Sequence, residues 1–156
     1  MSSLQFVKDI PRAKMAPPSS VLDRIKYVFW RVYTPLHPYV RDTALALGIV
    51  HHEKGRQRFL LGRIALGYSI EDVAMYLVRE QEFGNHFVAW HDDGQVVSLR
   101  RVDGFAYQYH IRLFDDGEVR GHYEYTPEYK PIDHMREAVL EERRDTFLQF
   151  LGDRLV

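Results

Sequence analysis

His110 and His122 stand twelve positions apart in the stretch YQYHIRLFDDGEVRGHYEY, residues 107–125, with Gln108, Arg112, Arg120 and Glu124 among them. Two imidazoles and a carboxylate suit a zinc-like ion when their donor atoms lie about 2.0–2.2 Å from it. Without a metal, one imidazole can act as a general base oriented by Glu124 or Gln108. Arg112 and Arg120, with Arg100 upstream, suit a carboxylate or phosphate, and Trp90 offers a stacking surface beside them. A cross-strand histidine pair is a far weaker sign than a fixed His-Glu-x-x-His spacing. No metal ligand is therefore assigned from the sequence, and no cofactor is named.

Whether these side chains meet depends on strand register. Asp116-Gly117 invites a two-residue turn, but that turn would set the apolar side of one strand against the polar side of the next. A three-residue loop, 115–117, with Gly117 left-handed, restores the match. It pairs Tyr107 with Tyr125, Tyr109 with Tyr123 and Leu113 with Val119 on one face. On the other face it pairs Gln108 with Glu124, His110 with His122 and Arg112 with Arg120. The same logic at Asp92-Asp93-Gly94 sets Phe87 against Leu99 and Ala89 against Val97. The turn near Asp103-Gly104 is then expected to align Leu99 with Tyr109, Val97 with Ile111 and Ser98 with His110.

Two faces follow. One is apolar: Phe87, Ala89, Val97, Leu99, Tyr109, Ile111, Leu113, Val119 and Tyr123, with Tyr107 and Tyr125. The other carries His86, Trp90, Ser98, Arg100, Gln108, His110, Arg112, Arg120, His122 and Glu124. Antiparallel sheets often keep one side wet, so a solvated face is the ordinary expectation. Arg112 directly opposite Arg120 costs energy unless an anion, a carboxylate or a partner offsets it. Gly121, mid-strand, marks a bulge or a close approach of another segment.

The elements that must hold this sheet are legible in part. Residues 1–19 contain three prolines and read as a partly ordered N-terminal arm. Ser20 and Asp23 open a helix over 21–33, with Leu22, Ile25, Phe29 and Val32 at helical spacing. Pro38 and Gly48 bracket a second helix. A strand is expected at 57–64, in a hairpin with 49–52. Ser69 and Asp72 cap a helix over 69–82. Strands follow near 86–91, 95–102, 105–114 and 118–126, then a helix over 132–152 with the polar run Glu141–Thr146 as a place to break it. The fold class is α+β: residues 20–156 form one domain, a four- to five-stranded antiparallel meander with helices on its apolar face.

The chain of 156 residues has room for one core, and its net charge of −1 gives no field favouring nucleic acid or anionic lipid. Sixteen arginines against five lysines is a bias that genome composition alone can produce. No cysteine is present, which removes thiol chemistry and thiolate metal sites, and no apolar run is long enough to span a membrane. A cytoplasmic location is the default. The function expected is non-catalytic binding of an anionic small molecule or a protein partner by the polar face, homo-oligomers included. The alternative is a small enzyme using His110, His122 and Glu124, with or without metal. Single-stranded nucleic-acid binding ranks third, because the register sends most tyrosines inward and leaves Trp90 nearly alone to stack.

Overall fold

In a computed structural model of the chain, the described residues are 5–48, 59–85, 92–130, 134 and 138–156. The helices are α1 (Gln5–Asp9), α2 (Val21–Tyr33), α3 (His37–Ala46), α4 (Ile70–Glu80) and α5 (Arg144–Leu151). The strands are β1 (Leu60–Arg63), β2 (Gly84–Asn85), β3 (Gln95–Asp103), β4 (Tyr107–Phe114), β5 (Glu118–Tyr125) and β6 (Ala138–Val139). The six described strands form one antiparallel sheet in the order β1-β5-β4-β3-β2, and β6 also pairs with β5. The architecture is α+β, as the hydrophobic patterning indicates. Among the described residues no helix is long and apolar enough to cross a membrane.

The central hairpin takes the expected register: Tyr109 faces Tyr123, His110 faces His122, Gln108 faces Glu124 and Arg112 faces Arg120. Gly117, at φ 84°, supplies the left-handed loop residue. The β3–β4 register differs from expectation by two residues. Leu99 pairs with Ile111 and Arg100 with His110, and Asp103–Tyr107 closes a loop opened by Gly104 at φ 67°. A shift of two keeps every side chain on its face, so the face assignment survives the correction. β2 shows the same offset, with Asn85 rather than Phe87 opposite Leu99. The strand expected at 86–91 and the hairpin arm at 49–52 lie outside the described residues, as do His86 and Trp90.

The helix expected over 132–152 is replaced where it can be described. Ala138–Val139 is a strand paired with Tyr123–Glu124, and helix begins only at Arg144, inside the polar run. Backbone pairing to the edge of β5 overrides the helical spacing of Val139.

The core lies on the odd-numbered face of the sheet. Val97, Leu99, Tyr109, Ile111, Leu113, Val119 and Tyr123 pack there with Val73, Ala74 and Leu77 of α4 and Phe147, Phe150 and Leu151 of α5. Ser69 and Asp72 form a reciprocal capping box that fixes the start of α4. The N-terminal segment joins this core through Phe6 and Ile10. Its backbone then bonds to Asn85 on both sides of Arg12, directly over Gly84, where a Cβ would fall 2.4 Å from Ala13.

Gly121 interrupts no pairing between β4 and β5. Its missing side chain makes room for Leu61 and Phe147, whose carbons would lie 2.7 and 3.0 Å from an added Cβ. The nearby irregularity is in β1, between Leu60 and Gly62.

Candidate metal centre

The even-numbered face is dry, which overturns the solvated reading. Ser98, Arg100, Gln108, His110, Arg120, His122 and Glu124 are all buried, and Arg112 is half-buried. Each arginine meets a carboxylate of the chain. Arg100 makes a two-pronged contact with Glu128 at 3.0 and 3.1 Å, Arg112 binds Asp92, and Arg120 binds Glu118 at 2.6 Å. Asp92 and Glu118 thus offset the repulsion between the paired arginines. Phe114 lies beneath both guanidinium groups, 6.0 Å from Arg112 and 5.4 Å from Arg120.

Glu124 remains. It is 5% exposed; the described groups in ion-pair contact with it are imidazoles, and the Arg112 charge also acts on it. His122 Nε2 lies 3.1 Å from Oε2, His110 Nδ1 lies 3.5 Å from Oε1, and His134 Nδ1 lies 3.5 Å from Oε2. The two histidine nitrogens nearest one another, Nδ1 of His110 and Nε2 of His122, are 3.1 Å apart. Gln108 donates Nε2–H to Glu124 Oε1 at 2.7 Å and accepts from Arg100, which fixes the amide orientation. Ser98 Oγ is bonded to His110 Nε2 and sets that ring. His134 donates Nδ1–H to the Tyr125 carbonyl, so that nitrogen is committed elsewhere.

Donor atoms from His110, His122 and Glu124 all lie within 4.8 Å of one another. Bonds of 2.0–2.1 Å at tetrahedral angles place donors about 3.3 Å apart. The observed contacts of 3.1, 3.5 and 3.1 Å lie around that value, with His110 Nδ1 reaching Oε1 of Glu124 and His122 Nε2 reaching Oε2. Such lengths also suit hydrogen bonds, so protons must be counted. A ring nitrogen offers either one N–H or one lone pair. If the His122 N–H points to Glu124, it cannot also serve His110. If His110 carries a proton there as well, two N–H groups meet head-on. Protons on the rings can satisfy one or two of these contacts, whereas a cation would draw on a lone pair from each of the three residues.

The electrostatics keep His110 neutral and Glu124 ionised. Burial pushes the His110 imidazole down to about 3, and His122 and Arg112 act in the same direction against the pull of Glu124. The ring is therefore uncharged at neutral pH, with one of its two nitrogens carrying the proton. Burial alone would raise the Glu124 carboxyl, but the charges of His134 and His122 and hydrogen bonds from His110 and His122 hold it well below the usual carboxylate range.

The site sits beside a split in the sheet edge. β1 pairs with β5 up to Arg120 and β6 pairs from Tyr123 onward, leaving His122 at the seam. A groove of about 540 Å³ opens there, lined by Phe59, Leu60, Leu140, Glu141 and Arg144 among others. Phe59, at φ 68°, packs its ring 5.2 Å from that of His122 and forms the wall between groove and cluster.

Of the residues singled out from sequence, His110, His122, Glu124 and Gln108 form one bonded cluster, and Arg100 joins it through Gln108. Arg112 and Arg120 lie alongside in ion pairs of their own. Trp90 lies outside the described residues. Sequence reasoning passed over Ser98 as a positioning group, Glu128 and Asp92 as counter-ions, and His134 and Phe59 as neighbours. All but Ser98 come from segments flanking the strands, where side-chain alternation carries no information. Comparison with family models, with curated proteins and with solved structures returns no match.

Proposed function

We propose that this protein binds a divalent transition-metal ion of the zinc type through His110, His122 and Glu124. One observation carries the proposal: on a face where every described arginine is already matched by a carboxylate, the buried Glu124 faces two converging imidazoles. Burying a carboxylate without a cation is costly, and the structure supplies the donor set for one. Two nitrogens and one oxygen leave a fourth position open, the donor pattern of a hydrolytic zinc site. The groove beside His122 supports access from the sheet edge. Binding of an anionic ligand by Arg100, Arg112 and Arg120 receives less support, because the chain itself provides their anions. Stacking of single-stranded nucleic acid is disfavoured by the same burial.

The test is metal analysis of untagged protein, followed by titration of the metal-free chain with zinc and with cobalt(II), whose visible spectrum reports nitrogen and oxygen ligation. One ion per chain is expected, with binding lost in His122→Ala and Glu124→Gln. A wild-type chain that takes up neither ion would overturn the proposal.

A further inference from the structure

The helical segment that starts at Val21 continues through a short 3-10 turn, Thr34–Leu36, to Ala46. The residues at both junctions, Thr34 and His37, keep right-handed helical backbone, so the two helices form one bent rod. One side of this rod is fixed to the rest of the chain. Trp30 and His37 are buried, Tyr33 packs 5.6 Å from Trp30 and 5.7 Å from His37, and Lys26 sits 3.8 Å over the Tyr129 ring.

The opposite side is apolar and open. Leu22, Ile25, Phe29, Val32, Leu36 and Tyr39 are 60, 61, 60, 68, 55 and 73% exposed. Their spacing alternates three and four residues without a break, the a/d pattern of a coiled-coil seam. Val21, Val28 and Val40 widen the stripe, and Tyr39, Val40, Thr43, Ala44 and Leu47 line an apolar hollow of about 340 Å³ at its far end. Among the described residues the core cluster draws on α1, α4 and α5 and on no residue of this rod.

We infer that the stripe is the seam of a homodimer, packed against the same stripe of a second copy. At 150–250 Å² for an aromatic side chain, Phe29 and Tyr39 exposed to this degree present roughly 200–330 Å², and the four aliphatic side chains beside them add to that, against about 800 Å² per partner in a standard stable interface. A two-fold interface brings the same patch to itself, so an apolar stripe along this rod needs no partner of different sequence. A lipid surface fits less well. Interfacial helices carry tryptophan at the boundary and lysine free to reach headgroups. Here Trp30 points inward and Lys26 is held over Tyr129, which leaves Arg24 and Arg31 as the exposed basic side chains of α2. The inference uses none of the residues of the metal site.

Sedimentation velocity of the full chain at micromolar and submicromolar concentrations tests it. The wild type is expected at the mass of two 18.5 kDa chains, and the double variant Ile25→Glu, Phe29→Glu at the mass of one. The dissociation constant is expected to rise by at least about a hundredfold, which is the loss of one or two buried hot-spot side chains per partner. Both side chains are exposed in the single chain, so circular dichroism is expected to match the wild type, and the thermal melt to match that of wild type diluted below its dissociation constant. A wild type that stays monomeric throughout would overturn the inference, as would a folded double variant that still dimerises. Sedimentation of monomeric wild type with phosphatidylserine vesicles would overturn it too, in favour of a lipid partner.

Discussion

At the scale of single residues, the cluster is defined by which atoms are already committed. His110 turns Nδ1 toward Glu124 and His122 because Ser98 holds Nε2. That contact crosses a diagonal: Ser98 pairs directly with Arg112, and His110 with Arg100. Diagonal neighbours in an antiparallel pair remain within reach of long side chains. Groups that orient a ligand imidazole matter nearly as much as the ligand itself. Ser98→Ala is therefore expected to weaken zinc binding by about 10–100-fold. Competition against a chromophoric chelator measures this directly, and an unchanged affinity would mean that the serine does not position the ring. The meeting of His110 and His122 was legible in the sequence, because only an odd-length loop aligns like with like. The burial of the pair was not. Asp92, Glu128 and His134, which neutralise or flank the polar face, lie beyond the strands whose alternation could be read.

At the scale of elements, loop parity decides the faces and loop position decides the partners. Parity was legible for all three hairpins. Position was legible only for β4–β5; Gly94 and Gly104 are likewise single left-handed glycines in the other two loops, so a glycine alone does not fix where a loop closes. The β3–β4 turn slid by two without any side chain changing face, and hydrophobic pattern is blind to such a slide. β6 shows the opposite failure: Val139 fits a helical stripe, but its backbone pairs with Tyr123 at the edge of β5. Gly121 marks where β1 and α5 close on β5, and that closeness makes a prediction. An added methyl would meet Leu61 at 2.7 Å and the Phe147 ring at 3.0 Å, both in the packed core. Overpacking of this kind costs about 1–3 kcal/mol. Gly121→Ala is thus expected to lower the unfolding free energy by that amount, read as a lower urea midpoint at an unchanged m-value. A loss below about 0.5 kcal/mol would show that β1 and α5 yield to the methyl, which a close-packed interior should not do.

At the scale of the whole molecule, the sheet has two dry faces, one apolar and one ionic, and the ionic face ties stability to pH. In the metal-free chain, burial keeps His110 neutral down to about 3, whereas an unfolded histidine titrates near 6.5. Between these values the unfolded state binds a proton that the native state refuses. Stability must then fall as pH falls through that window, with a slope of at most about 1.4 kcal/mol per pH unit from this one group. Glu124 acts with the same sign at lower pH. Its ionised form is held well below the ordinary range in the native state, so its stabilising share is present above the ordinary carboxylate value and is lost on acidification. Urea unfolding of chelator-treated protein at intervals from about pH 7 to about pH 5 isolates the histidine, since that span lies above the carboxylate range. The unfolding free energy is expected to decrease steadily with acidification in the wild type and less steeply in His110→Gln, which carries no proton to refuse. A wild-type stability that stays level or rises across this span would mean that His110 accepts its proton in place, and that the ionic face tolerates a second positive charge beside Arg112 without penalty.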